Sequence, residues 1–402
     1  MMPAMMKEFR LKIRPRKRGG KSGKRGNKDK GRQLMKILRL AMAAAMISAV
    51  VFAFGQAANA EPFKLKGDPK VAWLYFDIKS DGGWTQAIHE SKLRIDKHFG
   101  WDIPFVEKIP EVASIIKPAA ERYIKRGYNV IFGSGYGHSD GFLELAEKYP
   151  DIAFIVPGGA TNAQNLAGIY GRSYEPHYLC GMAAGALTKS NKIGFVAANP
   201  YGVVNWTVNG YLIGARTVNP DVTLHVVYTG AWNDPVKERA AAQALVEQGV
   251  DVIGQHVDTP TPQIVAQENG IYATGHHRDM REFAPKATQC SHLWVWDRYL
   301  IPKIQQMIDG TWDPGSQPYG DFIHIHDGGN DIACCGDAVP ADIVAKIEEG
   351  KKAIANGLHV FEGPLYDQEG TLRVKAGEVP SDGDLWGMDW LLQGIVGTTK
   401  TL

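Results

Sequence analysis

From residue 71 onward the chain alternates short apolar runs with longer stretches of helical periodicity, and that alternation admits few folds. Residues 71–76 (Val-Ala-Trp-Leu-Tyr-Phe) read as a strand and 84–98 as a helix; 130–132 is the next clear strand, 141–149 a helix and 153–156 a strand. Helices are then expected over 175–188, 204–218, 235–248 and 260–269, with strands over 192–196, 223–228, 250–254 and 271–274 between them. Strands that are apolar along their whole length are covered on both faces, and the intervening helices supply the cover. The pattern predicts an α/β protein built from parallel βαβ units in doubly wound sheets. Local punctuation agrees: Asn233-Asp234-Pro235 offers an N-cap beside a first-turn proline, and Gln248-Gly249 ends that helix with a glycine.

The first 60 residues follow other rules. Residues 1–39 hold fifteen Lys or Arg against only Glu8 and Asp29, and no charge occurs from Leu40 to Ala60. An apolar run from Leu40 to Phe54 followed by Ala58-Asn59-Ala60 reads as a secretory signal peptide cleaved after Ala60; a membrane-spanning helix wants a longer run. Met35-Lys36-Ile37-Leu38-Arg39 alone would supply a conventional basic lead, so either Met1 or Met35 can serve as the start. Residues 61–402 then carry 30 of the 45 basic residues and 41 of the 43 acidic ones, a net charge of −11. Such a body is a poor partner for nucleic acid, and none is expected.

The remaining 342 residues suffice for two lobes with cores of their own, joined by hinge crossings, since no low-complexity linker separates them. After residue 310 the texture turns rich in Gly, Pro and Asp; a helix is expected over 340–356, and Trp386 and Trp390 argue for an ordered tail. Cys180, Cys290, Cys334 and Cys335 could form disulfides in an oxidising compartment, but spacing does not give their pairing.

In open α/β sheets the ligand crevice lies at the loops after the C-terminal ends of strands. Two such loops, 77–84 and 229–233, carry Trp84 and Trp232 beside glycines, which suits a planar ring held between two indoles. The competing reading makes each Trp a core anchor of its lobe. Asp258 is the best candidate to pair with ring N–H groups, with Tyr136, His138, Asn199, His277 and Trp294 as further wall. Gly133-Ser-Gly-Tyr-Gly137 lacks the lysine and spacing of a phosphate loop. His276-His277 with Asp279, and His324-Ile-His326 with Asp327, lack metalloprotease spacing and a further well-placed ligand, so no metal or cofactor is expected. No nucleophile elbow or general-base constellation appears, and no enzymatic activity is expected.

Several stretches together resemble the basic membrane protein (BMP) family of substrate-binding proteins, the group similar to purine-nucleoside receptors of ABC transporters. They are Gly83-Trp84, Gly230-Ala-Trp-Asn-Asp-Pro235, residues 244–253, Gln255-His-Val-Asp-Thr259, Arg278–Lys286 and the tail Met388–Gly397. The resemblance implies a type I periplasmic-binding-protein fold: two doubly wound parallel-sheet lobes joined by hinge crossings, with the ligand base sandwiched between Trp84 and Trp232. It implies a first lobe over 61–172 with a return at about 288–312, a second lobe over 173–287, and a C-terminal appendage over 313–402. Nucleoside binders of the family carry an acid where this chain has His277 and a lysine near Trp294. Their absence favours a free purine base, adenine or guanine-like, over a nucleoside. The resemblance further implies a periplasmic monomer that hands its ligand to an ABC permease in the inner membrane. A nucleoside or sugar-like solute receptor, or a sensing domain of a membrane receptor, is the alternative.

Overall fold

The computed structural model describes residues 63–314 and 319–401; the basic region and the signal-peptide reading lie outside them. The elements in chain order are β1 (Val71–Leu74), α1 (Trp84–Phe99), β2 (Phe105–Val106), α2 (Ala113–Ile124), β3 (Val130–Phe132), α3 (His138–Lys148), β4 (Ala153–Pro157), β5 (Leu166–Gly171), α4 (Tyr174–Leu187) and β6 (Lys192–Ala197). They continue as α5 (Gly202–Val218), β7 (Thr223–Tyr228), α6 (Pro235–Glu247), β8 (Val252–His256), α7 (Thr261–Glu268), β9 (Tyr272–Gly275), β10 (Thr288–Val295) and α8 (Trp296–Asp309). The tail adds β11 (Asp321–Ile323), β12 (Gly329–Cys334), α9 (Ala341–Ala355), β13 (Leu365–Tyr366), β14 (Leu372–Val374), α10 (Asp382–Trp386) and β15 (Ile395–Val396).

Two sheets organise these elements. The first is parallel throughout, in the order β11-β5-β4-β3-β1-β2; the second runs β12-β10-β9-β8-β6-β7-β15, with only β12 antiparallel. Both are the buried, helix-covered sheets that the apolar runs require, with Val130–Phe132 and Ala153–Val156 fully inside. The chain passes between the sheets after β5, after β10, and between β11 and β12, giving a two-lobed α/β protein joined by crossings.

The return to the first lobe differs from the expectation of about residue 288. Thr288–Val295 is a strand of the second sheet, pairing with β9 on one side and β12 on the other, so the chain crosses only at Val295/Trp296 and α8 then packs on α1. Residues 313–402 are also more than an appendage: β11 extends the first sheet, and β12 and β15 form both edges of the second.

Helix ends follow their sequence signals. The Asp234 side chain accepts the Lys237 N–H at the start of α6, and Glu238 accepts the Asp234 N–H in return. At α1 the cap comes from further upstream: Asp81 accepts the N–H groups of Gly83, Thr85 and Gln86 at 2.8–3.0 Å. Burial and the nearby Asp258 charge push the Asp81 carboxyl up to about 6. Helix α4 is buried almost throughout because α5 lies directly against it; a Cβ at Gly181, Gly185 or Gly214 would overlap backbone carbonyls across that crossing. Cys180 of α4 and Cys290 of β10 place their sulfurs 2.7 Å apart in the interior, and Cys334 and Cys335 are joined to each other.

Candidate functional site

A cavity of about 640 Å³ opens between the two sheets at the loops that follow their strands. The first sheet contributes Phe76, Trp84, Glu111, residues 135–137, Gly158 and Tyr170; the second contributes Pro200 to Val203, Trp232, His256, Asp258 and His277. The tail closes a further side with Trp386 to Asp389, held there by Asn205 and Asn209 of α5, which donate to the carbonyls of Met388 and Trp390 at 2.8 and 3.1 Å.

Of the residues singled out in the sequence, Trp84, Tyr136, Trp232, Asp258 and His277 meet on this wall. Trp84 is fixed from behind: its Nε1–H donates to the Ser134 carbonyl, and Trp294, Trp296 and His277 meet it edge-on at 5.5–5.9 Å. Trp232 lines the second lobe's part of the wall, flanked by Tyr201 and His256 at about 6 Å. Its carbonyl accepts the Asp258 N–H at 2.8 Å, which ties the ring and the carboxyl to one loop geometry.

His138, Asn199 and Trp294 do not reach the cavity wall; they support it. The Asn199 carbonyl accepts the N–H of Tyr201, so the wall begins one residue later, at Pro200. Trp294 stacks on Trp296 with ring centres 4.6 Å apart, and its Nε1–H donates to Nδ1 of His277 at 3.0 Å. That donation fixes the tautomer. With Nδ1 accepting, the neutral imidazole carries its proton on Nε2 and donates it to Asp258 Oδ1, also at 3.0 Å. Burial holds His277 neutral, with its pKa lowered to about 3. Asp258 moves the other way, pushed well above the ordinary carboxylate range by burial first and then by the charges of Asp77 and Glu111.

His138 is wholly buried, accepting the Ser134 N–H on Nδ1 and donating from Nε2 to the Ile109 carbonyl, which braces the loop that carries Tyr136. Burial lowers its pKa from 6.5 to about 4. The neutral form is the folded one, so its contribution is complete above pH 6.5 and is lost as pH falls from 6.5 toward 4, to an extent on the order of 3 kcal/mol. His138→Gln keeps an acceptor and a donor but cannot titrate. Urea unfolding measured at pH 7 and pH 5 should therefore show a smaller loss of stability for the variant than for the wild type, and equal losses would contradict the account.

The lobes touch along one lip of the cavity. A Cβ at Gly83 would overlap the Asp258 backbone carbonyl, and one at Gly82 would come 2.9 Å from Pro260. Asn233 donates to Asp77 at 3.0 Å, and Arg278 reaches Glu90 on α1 at 2.6 Å. These contacts join the two lobes at that lip.

Sequence reasoning missed Phe76, Glu111, Tyr170, Tyr201 and the tail residues Trp386 to Asp389 as cavity wall. It also missed a second assembly beneath that wall. His177, His276 and His292 lie close together in the interior, whereas Asp279 turns to Arg281, and His324 and His326 stack on each other at the surface.

Comparison with known proteins agrees with this architecture. The family described as ABC transporter substrate-binding protein PnrA-like (Bmp) matches residues 69–333. A purine-binding protein of Brucella abortus is 33% identical over 351 residues, covering 86% of this chain and 96% of that protein. A putative ABC transporter glucose-binding protein of Haloferax volcanii is 34% identical over 243 residues, 60% of this chain and 62% of that protein. The solved solute-binding protein of an ABC transporter system from Conexibacter woesei superposes with a TM-score of 0.60 at 22% identity, over 72% of this chain and 98% of that one. Proteins of this kind work in the periplasm or outside the cell, carrying a small molecule to a transporter. The two-lobed fold, the interlobe cavity and the extent of these matches together make this chain a member of the Bmp family of ABC transporter substrate-binding proteins.

Proposed function

We propose that the cavity binds a free purine base, adenine in particular, between Trp84 and Trp232, for hand-over to an ABC permease in the inner membrane. The observation that carries this reading is the Trp294–His277–Asp258 relay at the foot of an aromatic cavity. Flat rings stack on indoles whatever their substituents, so selectivity has to come from the few polar groups at the edge.

Asp258 supplies that edge. Around it stand Asp77, Asp81, Glu111 and Glu238, all acidic, and His277, which is neutral. Such surroundings favour a carboxyl that keeps its proton, offering one acceptor oxygen and one O–H donor. Adenine presents the matching pair, an exocyclic N–H beside a ring nitrogen. Guanine presents two adjacent N–H donors, which an ionised carboxylate would suit better. The purine-binding relative from Brucella abortus supports the ligand class. A sugar would need many polar partners around its ring, and most of this wall is aromatic or glycine.

A thermal-shift screen of bases, nucleosides, pyrimidines and sugars tests the reading, since a ligand that binds only the folded state raises its melting temperature. Adenine should give the largest shift. A response confined to glucose or to nucleosides would overturn the assignment. Trp232→Ala should cost about 1–3 kcal/mol of adenine affinity by calorimetry, and unchanged affinity would remove the stacking role. Export through the signal peptide, cleaved after Ala60, belongs to the same proposal and is checked by N-terminal sequencing of the protein recovered from the periplasm.

A further inference from the structure

Beneath the second-lobe wall of the cavity, His177 of α4, His276 at the end of β9 and His292 of β10 converge with one ring nitrogen each within 4.8 Å of the others. All three are at most 1% exposed. We infer that these three imidazoles form a binding site for a divalent transition-metal ion of the zinc class.

The hydrogen bonds around the cluster leave it incomplete without a partner. A neutral imidazole carries one N–H and one lone pair, and burial obliges both to be used. His177 spends its Nδ1–H on the Ser173 carbonyl at 2.9 Å, which leaves Nε2, 3.4 Å from the Gln255 carbonyl, with a lone pair and no donor to meet it. A backbone carbonyl holding the far nitrogen of a histidine is the outer support that fixes a metal-binding ring. His276 and His292 face each other through their Nδ1 atoms at 2.8 Å and can share only one proton there, while Nε2 of each has no partner. One of the two rings therefore leaves an N–H stranded in the dry interior.

Ring centres of 4.7–5.2 Å among the three show that no side chain stands between them. Nitrogen ligands on tetrahedral zinc lie about 2.0–2.1 Å from the ion, which the cluster reaches by small ring rotations. Three imidazoles without thiolate suit zinc, nickel or copper(II) over calcium or magnesium, which prefer oxygen. The carbonyl-held helix α4 and two neighbouring strands would be tied together by the ion. Access runs past His256, which lines the cavity and whose ring lies 4.2 Å from His276.

The test is zinc uptake by the purified, chelator-stripped protein, read by competition with a chromophoric chelator, with cobalt(II) spectroscopy in parallel. One Zn²⁺ per chain, and a cobalt spectrum of tetrahedral nitrogen type, are expected for the wild type. His292→Asn should weaken binding by about 100-fold or more, on the scale that a lost ligand imposes. His326→Asn, which removes an exposed histidine outside the cluster, should leave it unchanged. Substoichiometric zinc uptake by the wild type, an octahedral cobalt spectrum, full binding in a folded His292→Asn protein, or loss of binding in the surface variant would each overturn the assignment. The wild-type cobalt spectrum keeps the test decisive even where a core variant does not fold.

Discussion

Gly83→Val is expected to weaken adenine binding by about 100-fold while both lobes stay folded. The residue sits where the loop before α1 meets the second lobe, and any Cβ there overlaps the backbone carbonyl of Asp258. Backbone on both sides cannot yield as a long side chain could, so the added volume holds the lip apart. The ligand depends on rings from both lobes, and only the closed form supplies them together. If the wedge leaves closure at about 1% of molecules, apparent affinity falls by the same factor. Circular dichroism separates this from misfolding, and small-angle scattering with adenine should show a wild type that compacts and a variant that stays open. Wild-type affinity in a folded variant would mean that the lip does not govern closure.

The second large effect falls on Asp258, where two substitutions separate. Asp258→Leu removes the edge partner of the base and strands the Nε2–H of His277 in the interior, a combined loss of about 100-fold or more, on the order of 3 kcal/mol. Asp258→Asn keeps one acceptor for His277 and an N–H donor toward the ligand, the same pattern as a protonated carboxyl. Affinity for adenine should then stay within about tenfold of wild type. The wild type should lose adenine affinity as pH rises and the carboxyl gives up its proton, whereas the amide should be flat. Calorimetry across pH 6 to 9 checks both. An Asn variant as weak as Leu would show that the ligand is read by an ionised carboxylate.

Much of the framework was legible because it is written locally. The runs Val71–Leu74 and Thr223–Tyr228, and the Asp234-Pro235 and Gly249 boundaries of α6, carry their structure in neighbouring residues. Trp84, Trp232, Asp258 and His277 meet on one cavity because loops after strands of a doubly wound sheet share one end of it. What failed depended on distant partners. Thr288–Val295 mixes Gln, Ser and His with apolar residues, and only the antiparallel β12, some forty residues later, makes it an inner strand of the second sheet. Trp386 and Met388 reach the cavity because Asn205 and Asn209 hold the tail, a contact across about 180 residues. His177 and His292 stand 115 positions apart, so spacing rules that look for adjacent ligands pass over them. His138, Asn199 and Trp294 lie outside the cavity wall, where they support the residues that form it.

A crystal structure of the protein grown with adenine tests the central claim most directly. The account predicts one purine ring between Trp84 and Trp232, within about 4 Å of both indoles, with a ring nitrogen and the exocyclic amine at hydrogen-bonding distance from Asp258. A base bound elsewhere, or an empty cavity at saturating adenine, would contradict it.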